Sequence, residues 1–508
     1  MPTVARARAW RLQPHGARAR PRSLLCRRHP DSLGGEPPGD RALLAQAARL
    51  RPDGGFLARA EAMLHAWCAA NPPFRGPNWA CGQEAAFRAL HLALGLALLE
   101  ADGDPPAGAR QFLSLHARRI SATRAYARAQ DNNHPVSEAA GLLVIGLLLR
   151  DSRMARRAAQ DLAQEVARLV APDGAFAQPS PRYHRLLLDT LALAAWIARR
   201  YGLELPPVIA ARAAAATRWL HRLADPDTGA LPRTGHCDGS VLADLAVREA
   251  ADARGSIERS ARLFCDATAG VRDDPGCAWL GLDTPPASLG IEDAWISEGW
   301  RGWQAEGARG LLRTGVPLRF RPAQCDLLHF DLWDGARNLL RDGGTGLYNP
   351  GPEGAHWPAA LWETRGHNTI AFDDAEQMPR VGRFLLARWP RTRLVPDGAA
   401  LRDQAGRRHE RRVRVGGRVW TIEDRVAGSF ATLALRWRLL PGPWRLAPDG
   451  VQGPAARIVV TADAPLSIAL RPGLESIAYG SVSAAPVLEA RAAAPVSRLV
   501  TTVLLPPA

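Results

Sequence analysis

The feature that most limits what this chain can fold into is a change of periodicity near residue 290. Before it, Ala/Leu/Arg runs of helical length alternate with loops of Pro, Gly, Asn and Asp. These predict helices over about 41–69, 82–101, 107–128, 136–149, 153–170, 182–201, 207–224 and 240–264. After it, short alternating segments dominate, at 313–320, 327–333, 368–372, 411–415, 419–424, 432–439, 457–461 and 499–505. Gly, Pro and Asp turns separate them, as in a β-sandwich. Helices followed by strands point to two stacked domains, 41–290 and 291–508, and away from an interleaved α/β fold. At 508 residues the chain is long enough for a substantial core in each.

Charge narrows the chemistry. The chain has 65 basic and 50 acidic residues, for a net charge of +15, and contains no lysine. Schiff bases, pyridoxal-phosphate anchoring and P-loop phosphate binding are excluded. What remains is a set of planar, permanently charged arginine forks suited to carboxylates, sulfates and phosphates. About half of the excess charge lies in residues 1–30, which hold eight arginines and no acid. Residues 1–40 read as a disordered Arg-rich leader, the alternative being an arm for nucleic acid or a membrane surface. Aromatic residues do not interleave with basic stripes, so no nucleic-acid partner is expected. The leader has no apolar core of signal-peptide length, which favours the cytoplasm. Seven scattered cysteines without a CxxC pair argue against a disulfide framework or zinc ribbon. No run of 18 apolar residues predicts a membrane span.

Helix parity gives the first functional signal. Consecutive helices joined by short loops run antiparallel, so the helices beginning near 82, 136, 182 and 240 start on one rim. The loops before them, 71–83, 131–138, 173–183 and 231–240, are the chain's most polar segments and would ring one mouth.

Two of these loops carry groups able to do chemistry. In 131–138, Pro135 can begin a helix, placing Asn133 and His134 in the preceding loop with their side chains outward. Helix capping is the plainer role for such residues. In 173–184, Ser180 is a natural N-cap, Pro181 the first helical residue and Tyr183 part of the first turn. The helix dipole, with Arg182 and Arg185 adjacent, would lower the phenol's pKa from about 10. The alternative is a core tyrosine, because Leu187, Leu191 and Ala194 continue its face.

Together these motifs resemble those of the heparinase II/III-like polysaccharide lyases, of the alginate lyase and heparinase type, as a divergent member. Asn133-His134 is followed at family spacing by Ser180-Pro181-Arg182-Tyr183-His184. The similarity extends to Gly76-Pro77-Asn78-Trp79 with Glu84 and Arg88, to 326–344, to Gly366-His367-Asn368-Thr369, to 409–413 and to Tyr479-Gly480. It implies an incomplete (α/α) toroid followed by an antiparallel β-sandwich, and eliminative cleavage of an acidic, uronate-containing polysaccharide or oligosaccharide in a cleft between them. It also implies roles. Asn133 would neutralise the uronate carboxylate, Tyr183 would protonate the leaving oxygen, and His134 would be the other acid–base partner. Trp79, Glu84, Arg88, Glu138, Arg182, His184 and His236 would contact substrate. The same resemblance offers the periplasm or cell envelope as the alternative location.

The sandwich half departs from the family pattern. A His-x-His-x-Asp segment reads here as Pro322-Ala323-Gln324-Cys325-Asp326, and a His-Asp-Gly-Tyr segment as Pro396-Asp397-Gly398-Ala399. The family's metal site would become Gln324, Asp342 and His367, a set poor for zinc but acceptable to a harder divalent cation. Without a metal, Asp342 and His367 would bond each other and the Gly343-Gly344 turn. His329, three residues past Asp326, is not expected to substitute for a lost histidine. The segment at His409 would border the cleft or form a structural edge strand. The second functional reading is a non-catalytic relative that binds or processes an exopolysaccharide.

Overall fold

The computed structural model of the chain describes residues 40–242, 244–315 and 324–507. The Arg-rich leader lies outside the described residues, as do most of the strand expected over 313–320 and the Pro322-Ala323 pair.

Among the described residues, ten α-helices precede the strands: α1 Asp40–Leu50, α2 Phe56–Ala70, α3 Gly82–Leu98, α4 Ala107–Arg128, α5 Asn133–Leu148, α6 Ser152–Leu169, α7 Pro181–Arg200, α8 Pro207–His221, α9 Arg254–Phe264 and α10 Pro275–Trp279. The single helix expected over 41–69 is two. Pro52 opens a short 3-10 turn, and Gly55, at φ 70°, takes a left-handed conformation open to glycine. α5 starts three residues earlier than expected, because Asn132 caps it by accepting the His134 N–H at 3.0 Å. Asn133 and His134 therefore belong to the helix's first turn. The helix expected from 240 begins only at Arg254. Ahead of it, Asp238, Asp244 and Asp252 each accept a backbone N–H two residues on, which favours turns over helix.

α3, α5, α7 and α9 pack successively side by side. Apart from His134, α5 is buried along its whole length, as an inner helix must be. α6 buries only one stripe, through Ala155, Ala158, Ala159, Leu162 and Val166. Odd helices line the inside and even helices the outside, which makes an incomplete toroid.

The remainder is antiparallel sheet. Five strands from Ala294 to Leu340 form a meander, followed by an eight-stranded and a four-stranded sheet around Phe330, Trp420, Leu435, Trp437, Ile458 and Val503. The meander also closes the helical layer. Trp295 and Trp300 pack against Trp219 of α8, whose indole N–H donates to Ser297 Oγ at 2.8 Å. A strand occupies Ala308–Arg313, ending where the segment expected over 313–320 begins. The long hairpin Ser467–Ala478/Ser481–Ala493 was not expected, because Pro472, Gly473 and Pro486 interrupt its alternation. Among the described residues no helix is long and apolar enough to cross a membrane.

Candidate active site

The four polar loops do meet along one rim. Gln83 Nε2 donates to Ser137 Oγ at 3.2 Å, joining the start of α3 to that of α5. The Asn133 N–H donates to Gln178 Oε1 at 3.4 Å, and Ser180 Oγ donates to the His236 carbonyl at 2.7 Å. The last approach is tight. A Cβ on Gly235, which sits at φ 75°, would fall 2.0 Å from the Pro179 carbonyl oxygen.

Ser180 and Pro181 start α7 as expected, with Ser180 Oγ accepting the Tyr183 N–H at 3.2 Å. Tyr183 then points across the seam between helices and sheets. Its hydroxyl lies 2.7 Å from that of Tyr348 in the turn after Asp342. The Tyr348 N–H donates to Tyr479 Oη, and the Tyr348 ring stands edge-on to Tyr479, Phe384 and His236. His236 in turn packs edge-on against Trp362 at 4.8 Å. Three of the chain's five tyrosines thus gather at one place. The turn is stitched to the rim by the Cys237 N–H on Thr345 Oγ1 at 2.9 Å.

The electrostatics reverse one expectation. Burial pushes both Tyr183 and Tyr348 well above the usual phenol range, and the nearby Asp238 charge pushes further. The helix dipole does not prevail, because the arginines are spent elsewhere. Arg185 donates to Ser256 Oγ and to the Ala250 carbonyl, and Arg182 engages Cys237. A dipole effect of ~1 kcal/mol is small beside burial of a phenolate.

Asn133 is 3% exposed, and its Nδ2 has no hydrogen-bond partner among the described residues. His134 is half-buried, with Nδ1 3.5 Å from Gln130 Nε2. No hydrogen bond joins His134 to Tyr183 among the described residues. Several expected substrate contacts are internal pins instead. Trp79 is buried and donates to the Asn71 carbonyl, while Arg88 lies over Trp67 and donates to the Asn78 carbonyl and to His116 Nε2. His184 faces α8, bonded to the Ala216 carbonyl and stacked on Trp219 at 4.6 Å. Burial pulls its pKa down to about 4. The buried Glu138 carboxyl sits against Gly82, and burial raises it to about 8, with Cys81 raising it further and Arg119 and Arg124 opposing. Glu84 and Arg182 are half-buried at the rim. His236 joins the tyrosine cluster through its ring.

Sequence models of two families match, "Heparinase II/III-like, C-terminal" over residues 297–477 and "Alginate lyase" over residues 38–226. The chain is a divergent heparinase II/III-like polysaccharide lyase. The fold is shared with solved structures of low identity. A heparinase III superposes with a TM-score of 0.69 at 15% identity, covering 92% of this chain and 76% of that one. Heparan sulfate lyase HepC from Pedobacter heparinus, as a mutant, gives 0.62 at 18%, covering 91% and 75%. A chondroitinase AC lyase gives 0.55 at 10%, covering 92% and 75%. No curated protein sequence matches the chain.

For a heparinase II/III-like chain, the sandwich cluster is the informative departure. Asp342 Oδ1 accepts the Gly344 N–H at 2.7 Å, and Oδ2 accepts His367 Nδ1–H at 2.8 Å. Gln324 Nε2 donates to the Gly344 carbonyl at 3.2 Å. His329, not expected to substitute for a lost histidine, nevertheless lies beside the other two residues. His329, Asp342 and His367 form a buried group whose ligand-type atoms lie within 4.8 Å of one another. The approach is made by a turn: Leu328 adopts a left-handed φ of 58°, and the His329 N–H donates to the Asp326 carbonyl. His409 is not at the cleft. It is buried on Asp424, which also receives Arg411 Nε and Nη2, while Arg411 Nη1 holds the Leu328 and Asn368 carbonyls.

The donors do not fit the family's metal. His329 Nδ1 accepts the Asn368 N–H at 2.9 Å, so the neutral ring carries its proton on Nε2, the nitrogen facing Asp342. A metal-bound imidazole needs the opposite arrangement. Both Asp342 oxygens already accept N–H groups. Of the expected ligands, His367 Nε2 and Gln324 Oε1 lack a hydrogen-bond partner among the described residues and each Asp342 oxygen keeps a second lone pair, but with His329 Nε2 protonated the cluster offers one free imidazole nitrogen, a poor set for zinc.

Proposed function

We propose that the chain cleaves a uronate-containing acidic polysaccharide by β-elimination at the Tyr183–Tyr348 pair. The observation that carries this reading is the 2.7 Å contact of the two hydroxyls across the seam between rim and sandwich. Burial keeps Tyr183 protonated at neutral pH, as a general acid must be. The buried Nδ2 of Asn133 is a donor for the uronate carboxylate, which makes the C5 proton easier to remove. His134 accepts that proton. The C5–H electron pair forms the C4=C5 double bond, the C4–O4 bond breaks, and O4 leaves with the Tyr183 proton. Tyr348, within hydrogen-bond reach, aims the Tyr183 hydroxyl. No lysine or redox cofactor enters.

The test is a panel of uronate polymers, sulfated and unsulfated, monitored for the ultraviolet absorbance of an unsaturated uronate. Product formation that Tyr183→Phe abolishes, with circular dichroism unchanged, supports the assignment. Product that survives the substitution removes the tyrosine from the chemistry. Binding without product on every polymer favours a processing or binding protein.

A further inference from the structure

We propose that this chain has exchanged its family's sandwich metal for a permanent buried polar cluster, in which the His329 Nε2–H faces two carboxylates at 3.6 and 3.8 Å and the Arg438 guanidinium supplies the positive charge. The geometry is specific on each point. The Asn368 amide fixes His329 in one tautomer from behind. On the other side, His329 Nε2 lies 3.6 Å from Asp331 Oδ2 and 3.8 Å from Asp342 Oδ2. Asp331 Oδ1 accepts Trp333 Nε1–H and Asn338 Nδ2–H, which leaves Oδ2 turned toward the histidine. The imidazole N–H thus occupies the position between carboxylates where a cation would otherwise be needed.

A buried carboxylate without a nearby cation is costly. Arg438 meets that need. It is 2% exposed, and its guanidinium carbon would lie 3.4 Å from a Cβ built on Gly343, so it sits over the turn that carries Asp342. Its Nη1 donates to the Arg365 carbonyl at 3.3 Å, and its backbone N–H donates to Asn368 Oδ1 at 2.6 Å. The same asparagine therefore ties together the arginine and, through its backbone N–H, the histidine. Burial lowers Arg438 to about 10, with Asp342 and Glu475 opposing, so it remains charged at neutral pH. Arg411, gripping the Leu328 and Asn368 carbonyls, fixes both segments. A guanidinium cannot dissociate as an ion does, so the exchange makes the seam beside Tyr348 independent of metal supply.

The test needs no activity measurement. The chain is produced in zinc- and calcium-supplemented medium, dialysed, and assayed for bound metal by mass spectrometry. Melting curves are then recorded with a chelator, with zinc and with calcium. The expected result is far less than one metal per chain and a melting temperature unmoved by any addition. His329→Gln, whose side-chain carbonyl accepts and whose amide donates, is expected to melt close to the parent. His329→Leu, which can do neither, is expected to melt several degrees lower, without gaining sensitivity to chelator. One equivalent of zinc or calcium, stripped by chelator with a fall in melting temperature, overturns the proposal. Calorimetric titration of the parent protein with zinc or calcium showing stoichiometric binding would do the same.

Discussion

The Tyr183 and Tyr348 hydroxyls meet at 2.7 Å, although one opens a helix of the toroid and the other lies 165 residues on, in a sandwich turn. Because each phenol is held protonated by burial, one hydroxyl donates its proton into the contact while the other accepts and keeps its own proton free to donate onward. Tyr183→Phe should lower kcat by about 10²–10⁴-fold, the range of a lost general acid. Tyr348→Phe removes only the aiming bond, worth about 1 kcal/mol, so kcat should fall by about tenfold or less. Steady-state kinetics on the cleaved polymer separates the two. Equal losses would mean that Tyr348 itself touches the reacting atoms.

Asn133 offers a second test. Its buried Nδ2 lacks a partner in the described structure, a condition that costs stability unless a ligand supplies an acceptor. Asn133→Leu should therefore melt no lower than the parent, and possession of a folded but inactive enzyme would be the result. The expected loss in kcat is about 10²–10³-fold, as for a missing donor to a developing negative charge. Asn133→Asp should lose more, because a carboxylate would face the uronate carboxylate. A variant that melts lower and keeps its activity would assign the amide a structural role.

The helices, the change to strands and the rim were legible because each depends on local chemistry. Ser180-Pro181 starts a helix by its own geometry, and periodicity located α4 to the residue. What stayed hidden depends on long-range approach. Tyr348 follows a Gly/Thr-rich turn and carries no periodic signal, and its importance comes only from a hydroxyl 165 residues away. The nearness of His329 to Asp342 and His367 was hidden because offset along the chain says nothing of a left-handed Leu328. The Tyr183 pKa was misjudged for a related reason. The dipole can be read from sequence, whereas burial by a second domain cannot.

Glu138 predicts a pH effect on stability. Its folded pKa of about 8 lies above the usual 4.5, so the folded protein holds this proton more tightly than the unfolded chain. Stability is greatest below the unfolded pKa, declines as pH rises between 4.5 and about 8, and levels off above that. Glu138→Gln keeps the neutral shape at every pH. It should raise the melting temperature near pH 8 and leave it nearly unchanged near pH 4, as scanning calorimetry would show. Parallel pH profiles for parent and variant would place the proton elsewhere.

His184 should act in the opposite direction. Its folded pKa of about 4 lies below the usual 6.5, because burial against Trp219 disfavours the charged ring. The stability it contributes is fully present above pH 6.5 and is lost progressively as pH falls toward 4, where the unfolded chain takes up a proton that the folded one resists. His184→Gln can retain a bond to the Ala216 carbonyl without titrating. The variant should lose the stacking on Trp219 and melt lower at pH 7.5, yet decline less steeply than the parent between pH 6.5 and 5. Denaturant unfolding followed by tryptophan fluorescence at a series of pH values measures both. A variant that falls as steeply as the parent would show that another buried group controls the acid limb.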